Sequence, residues 1–321
     1  MASVPGYVHT PGRHCGSTAL RNLLAFHGVE ISEEMAFGLG AGAGFYYLSL
    51  DGSSPSRWFN GRTARLEESF RELTGALELR TFGGDDEGAW EAARAAVDAG
   101  RPALLLTDIY HLDHYGSSAR FPGHAVVLAG YDDEVALLSD TSFEELQTTR
   151  LENLARARHS DHPAFRIEGH MFTVAAGVDR ARLEAAIPAA VARAAAEMLE
   201  PPFGELGGLP ALERLAAEAG SWPEEVEDWR WCARFAYQVI ERRGTGGGAF
   251  RPMYSRFLAE AGRDEGAPLA AAAGERWSEL AEAFRRASER EEPDAAAWLL
   301  VGAGARRVAA AERKLWQALG G

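Results

Sequence analysis

The spacing of hydrophobic and polar positions changes character along the chain. Between residues 101 and 140, three short apolar runs, RPALLLTDI, HAVVLAGYD and VALLSD, are bounded by Gly, Pro and Asp and predict strands. Only Asp132, Asp133 and Glu134 separate the last two, so they should pair as an antiparallel hairpin. Upstream, CGSTALRNLLAFHG predicts a helix that opens at Cys15 and stops at Gly28, a residue free to take the left-handed cap conformation. Ser32 followed by Glu33 and Glu34 marks a second helix start, with acids where the helix dipole favours them. Glycines at 38, 40, 42 and 44 predict a flexible or closely packed loop. A dinucleotide-binding loop is disfavoured there, because the spacing is not G-x-G-x-x-G and no strand precedes it.

From about Asp179 onward the pattern turns helical. DRARLEAAIPAAVARAAAEML, PALERLAAEA, ERWSELAEAFRRASER and ARRVAAAERKLWQAL place apolar residues three and four apart, as amphipathic helices do. Pro201, Pro202, Gly207 and Gly208 separate the first from the second, and the run from Gly244 to Gly248 breaks the middle of the region. Helix first and sheet later is an α+β order. The expected organisation is an α+β domain over 1–175 followed by a mostly helical domain over 176–321.

Length and composition agree: 321 residues at 46% apolar content can bury a full core and suggest two domains. The start, MASVPGYVHTPGRHC, has no charged region followed by an apolar run, and no stretch reaches the roughly 18 apolar residues of a membrane span. The expectation is a cytoplasmic protein without a membrane partner. Its formal charge of -14 argues against nucleic acid as a partner, since an acidic surface repels phosphate. A cationic substrate would be attracted, although the charge can equally serve solubility alone. Two cysteines, Cys15 and Cys232, are too few for a disulfide framework or a thiolate-rich zinc site, and no cofactor or metal is expected.

Cys15 is placed where its type has a chemical consequence. At a helix start, unpaired N–H groups and the positive end of the dipole stabilise a thiolate. His124 follows Gly123 at the mouth of a predicted strand, and Asp140 ends that strand's hairpin partner, sixteen residues on. Both can therefore lie at one end of the sheet, where Asp140 accepts a proton from one imidazole nitrogen and the other faces Cys15. That is the order of a nucleophile, its base and the group that orients the base. Each residue alone has a plainer reading: an inert thiol, a solvated strand histidine and a turn aspartate.

HCGSTALRNLLAFHG, the following SEEMAFGLGAGAGFYY, and FPGHAVVLAGYDDEVALLSDT resemble the butirosin biosynthesis protein H family. They are more distantly similar to the bacteriocin-processing cysteine peptidases that cut after double-glycine leaders. The resemblance covers the N-terminal domain, and the helical region looks like the uncharacterised domain that commonly follows it in that family. It implies a papain-like N-terminal fold and an acyltransferase that moves an aminoacyl chain from an acyl carrier protein to an amine of an aminoglycoside. By position, Cys15 would hold the acyl group, His124 would deprotonate the thiol and then the amine, and Asp140 would hold the imidazole. Papain-like enzymes carry an oxyanion-binding glutamine six residues before the cysteine; His9 stands at that offset here, where its N–H can donate or where it is simply a loop histidine.

The remaining features are weaker. His111 and His114 in DIYHLDHYG have a step that suits a metal, but no third ligand joins them, so a pocket-lining loop is the preferred reading. Trp222, Trp229 and Trp231 can form a lid or pack as core, with core favoured, and Cys232, inside a helix, is expected to be inert. An acidic carrier would need a basic landing patch, for which Arg150, Arg156 and Arg158 are the local candidates. The leading expectation is thus acyl transfer from a carrier thioester to a small amine. A peptidase or amidase using the same residues, and a non-catalytic peptide-binding scaffold, remain alternatives; the oligomeric state is left open.

Overall fold

Strands and helices share the first half of the chain, and helices dominate the second. A computed structural model describes residues 2–50, 52–162 and 165–320. Its described strands are β1 (Ala2–Ser3), β2 (Ala43–Ser49), β3 (Arg57–Arg62), β4 (Leu77–Arg80), β5 (Ala103–Asp108), β6 (Pro122–Tyr131), β7 (Val135–Ser139), β8 (Gln147–Arg150) and β9 (Met171–Val174). The helices of the first half are α1 (Cys15–Phe26), α2 (Glu33–Leu39), α3 (Leu66–Thr74), α4 (Asp86–Asp98) and α5 (Leu151–Arg158). They are followed by α6 (Arg180–Ala185), α7 (Ile187–Leu199), α8 (Gly208–Glu218), α9 (Trp222–Glu225), α10 (Trp229–Glu241), α11 (Arg251–Glu260), α12 (Gly266–Ser288) and α13 (Ala295–Gly320). The class is the expected one: a mixed α/β N-terminal region followed by a largely helical C-terminal region.

The chain divides into two compact units, Met1–Ala36 with Ala64–Ala186, and Phe37–Thr63 with Ile187–Gly321. This differs from a single division after residue 175. The glycine-rich segment expected as a loop contains β2, which pairs with β3 in a separate two-stranded antiparallel sheet. Aromatic packing explains its membership of the second unit: Phe45 and Phe59 both lie against Trp277, and Phe59 also against Phe284. The glycines there serve close packing, since a Cβ on Gly38 would fall inside the Phe257 ring and one on Gly42 against Phe37.

In the first unit the sheet runs β4-β9-β5-β6-β7-β8, with β1 paired to β6. The predicted hairpin is present: β6 and β7 pair antiparallel, Val127 opposite Ser139 and Leu128 opposite Leu138. Ala103 to Leu106 of β5 are all buried, which requires cover on both faces of the sheet. Leu105, Val126, Leu128, Ala136 and Leu138 join Ala93, Val97 and Leu154 from α4 and α5 in one core cluster. Alternation then fixes the site. His124 shares the parity of Val126 and Leu128, and Asp140 that of Ala136 and Leu138, so both are delivered to one face at one end of the hairpin.

The second unit is a helical assembly around tryptophans. Trp222 is fully buried, stacked near Tyr47 and Phe284, and Trp229 packs edge-on against Trp298, so these two are core as expected, whereas Trp231 is exposed. Arg251 and Glu312, both 0% exposed, form an ion pair at 2.7 Å. Arg251 also donates to the carbonyls of Gly44, Gly61 and Ala249, while Glu312 accepts from the indole N–H groups of Trp277 and Trp316. A buried charge with this many partners is the arrangement that low dielectric demands.

Candidate active site

Cys15 is the first residue of α1, as its sequence context predicts, and it is partly exposed. The chain before it is tied down by several hydrogen bonds. The Glu33 carboxylate accepts the backbone N–H groups of Arg13 at 3.0 Å and His14 at 2.8 Å, so an acid at the start of α2 fixes the start of α1. Arg21 and Asn22, about two turns along α1, donate to the Thr10 carbonyl at 2.6 and 2.9 Å. Gly12 donates its N–H to the Thr141 carbonyl at 3.2 Å, stitching this strap to the turn that carries Asp140. A Cβ on Gly12 would meet Thr18 Oγ1 and Glu33, so only glycine fits.

His124 and Asp140 meet as their placement on the hairpin requires. The His124 Nε2–H donates to Asp140 Oδ2 at 2.9 Å, with the histidine 5% exposed and the aspartate 0%. Burial alone would lower the imidazole's proton affinity. The charge and hydrogen bond of Asp140, together with the hydrogen bond and charge of Cys15, outweigh it and raise His124 from 6.5 to about 10. For Asp140, burial would raise the carboxyl, but the charge of His124 and hydrogen bonds from His114 and His124 hold it well below the usual carboxylate range. The structure thus brings Cys15, His124 and Asp140 together in that order, with Nδ1 of the ring left over from the bond to Asp140.

His9 is placed otherwise. Its Nε2–H donates to the Phe143 carbonyl at 2.8 Å, and its Nδ1 lies 2.7 Å from the Ser139 hydroxyl. Both ring nitrogens are taken, so no N–H remains for an oxyanion, and the expectation of a donor at this offset is corrected. His9 braces the strap against the turn after β7.

Two residues of the DIYHLDHYG loop, expected to line a pocket, lie against Asp140. The Tyr115 hydroxyl donates to Asp140 Oδ1 at 3.1 Å and lies 3.4 Å from His124 Nε2. Burial, then the charge of Asp140, pushes its phenol up. His114 donates Nε2–H to Asp140 Oδ2 at 3.0 Å, while its Nδ1 lies 3.0 Å from the Thr149 hydroxyl. The signal was present in DIYHLDHYG, but its two histidines suggested a metal or a pocket instead. His111 does not join this network; it lines a surface groove with Tyr110, Asp113, Arg150 and Arg156.

The remaining expectations resolve simply. Arg158 is buried against Asp86 at 2.6 Å and so drops out of the expected landing patch, while Arg150, paired with Asp113 at 3.0 Å but largely exposed, lines the same groove as Arg156. Neither Cys15 nor Cys232 is in a disulfide, and burial pushes Cys232 up, against its hydrogen bonds from Ser56 and Arg57, in keeping with an inert thiol. No helix among the described residues is long and apolar enough to cross a membrane.

Residues 14–141 match the family model of butirosin biosynthesis protein H, N-terminal, and residues 152–319 match that of a domain of unknown function, DUF4872. No curated protein matches the chain. Among solved structures, a protein described as a C39-like peptidase from Bacillus anthracis is similar at 15% identity and a TM-score of 0.37, over 54% of this chain and 96% of that one.

Proposed function

Because the chain belongs to the DUF4872 family and carries a butirosin biosynthesis protein H type N-terminal domain, we propose that it is a cysteine-dependent acyltransferase. In this reading an acyl or aminoacyl group passes from a carrier-protein thioester to a small amine in specialised metabolism. The observation that supports it most is the contact of Cys15 with a buried His124 whose other side is held by Asp140.

The chemistry follows from that order. With His124 retaining its proton, Cys15 is held as a thiolate and attacks the thioester carbonyl. The Cys15 backbone N–H, at the start of α1, is the donor this reading assigns to the oxyanion. Collapse expels the carrier thiolate, which takes the proton from His124 and leaves the acyl group on Cys15. The neutral imidazole then removes a proton from the incoming amine, the amide forms, and Cys15 departs as a thiolate beside imidazolium. Asp140 stays ionised throughout and keeps the ring oriented.

The test is intact-protein mass spectrometry after incubation with a panel of acyl carrier thioesters. An acyl adduct is expected on the wild type and none on Cys15→Ala. Adduct formation followed by release of product to added amines supports transfer. Release to water at the same rate with or without amine would instead identify a hydrolase, and failure of every donor to acylate Cys15 would sink both.

A further inference from the structure

The Asp140 carboxylate is shared. Oδ2 accepts from His124 at 2.9 Å and from His114 at 3.0 Å, and Oδ1 accepts from Tyr115 at 3.1 Å. His114 is nearly buried, its side chain 5% exposed. Its other nitrogen lies 3.0 Å from Thr149 Oγ1 on β8, a residue itself 1% exposed. An ionised carboxylate can only accept, so Nε2 must carry a proton, and Thr149 Oγ1 engages the other nitrogen and holds the ring in this orientation. Phe143 packs edge-on against both the His114 and Tyr115 rings and fixes their planes.

Resting on the reading of Cys15 and His124 as nucleophile and base, we propose that His114, held by Thr149, is a positioning residue that tunes the base by drawing on the Asp140 charge. Each donor on a carboxylate withdraws negative charge from the others. Asp140 therefore stabilises the His124 imidazolium less than it would with His124 as its sole partner, and the base can still lose its proton when the amine arrives. The ionisable groups around this cluster are Asp140 after β7, His124 on β6, Tyr115 beside His114, and Cys15 on α1. Asp113, the neighbour of His114 in sequence, is engaged by Arg150 and Asn153.

The experiment is the pH profile of Cys15 alkylation by iodoacetamide in the full-length protein, with Cys232 replaced by Ser in every sample. Wild type should show a thiolate formed well below the ordinary thiol range and a second ionisation where His124 deprotonates. In His114→Ala the second ionisation should move up by about one pH unit, a tenfold change in the proton equilibrium. His114→Gln, whose amide can still donate to Asp140 and accept from Thr149, should restore the wild-type position. Thr149→Val should shift it in the same direction as His114→Ala but by less, and serves if His114→Ala does not fold. A wild type that alkylates like a free thiol would overturn the Cys15 reading itself. A wild type with the depressed thiolate but variants whose profiles coincide with it would overturn only the role of His114.

Discussion

His124 links the site to pH. Its proton affinity is lowered by burial but raised more by Asp140 and Cys15, to about 10 from 6.5. Below pH 6.5 the ring is protonated both folded and unfolded, and its full contribution to stability is present; that contribution is lost as pH rises through about 10. The urea midpoint of the wild type should therefore fall between those values, and Asp140→Asn should flatten that part of the curve. The same substitution should slow acylation by roughly 10²–10⁴-fold, the range for disabling a positioned acid–base group. An unchanged midpoint profile in Asp140→Asn would mean that the carboxylate does not hold the imidazolium. At this scale the bond between His124 and Asp140, and Cys15 at the start of α1, were legible from type and position. His114 and Tyr115 were not, because their bonds to Asp140 join loop residues 26 and 25 positions away, a separation that no local pattern encodes.

The start of α1 depends on α2. Glu33 is 8% exposed and accepts from Arg13, His14 and the Ser17 hydroxyl. Its removal would leave two backbone N–H groups without their acceptor, at about 1–3 kcal/mol for a buried donor left unmade. Glu33→Ala should lower the thermal midpoint correspondingly and slow Cys15 alkylation, whereas Glu33→Gln, which keeps an acceptor, should do less of both. A Glu33→Ala variant as stable and reactive as wild type would remove the strap from the account of the site. The helix boundaries themselves were readable: α1 opens at Cys15 and ends before Gly28, whose φ of 79° is the left-handed cap the sequence suggested. The start of α2 after Ser32, with Glu33 and Glu34 in its first turn, was readable too; that Glu33 also clamps the segment before α1 was not.

Across the whole molecule, one buried ion pair ties strands to helices in the second unit. Arg251 reaches the carbonyls of Gly44 and Gly61 from β2 and β3, and Glu312 on α13 neutralises it. Glu312→Leu should cost about 3–5 kcal/mol, because it leaves a guanidinium buried without its counter-ion. Equilibrium urea unfolding measures this, and a loss under about 1 kcal/mol would show that water or backbone carbonyls satisfy Arg251 alone. At this scale the sequence was least informative. Composition drew one boundary after residue 175, while the 37–63 segment packs with helices that follow it by more than a hundred residues.

The sequence by itself determined the fold class, the β6–β7 hairpin, the helix that presents Cys15 and the pairing of His124 with Asp140. Each of these follows from a local period or from a turn that sets register, and short-range geometry carries that information. Tertiary structure alone decided that His9 is a brace, that Asp140 serves three donors, that β2 and β3 join the helical unit, and that Arg158 is buried against Asp86. These depend on which hydrogen-bond partners distant segments bring within about 3 Å, and a buried polar group takes whatever partner the packing supplies.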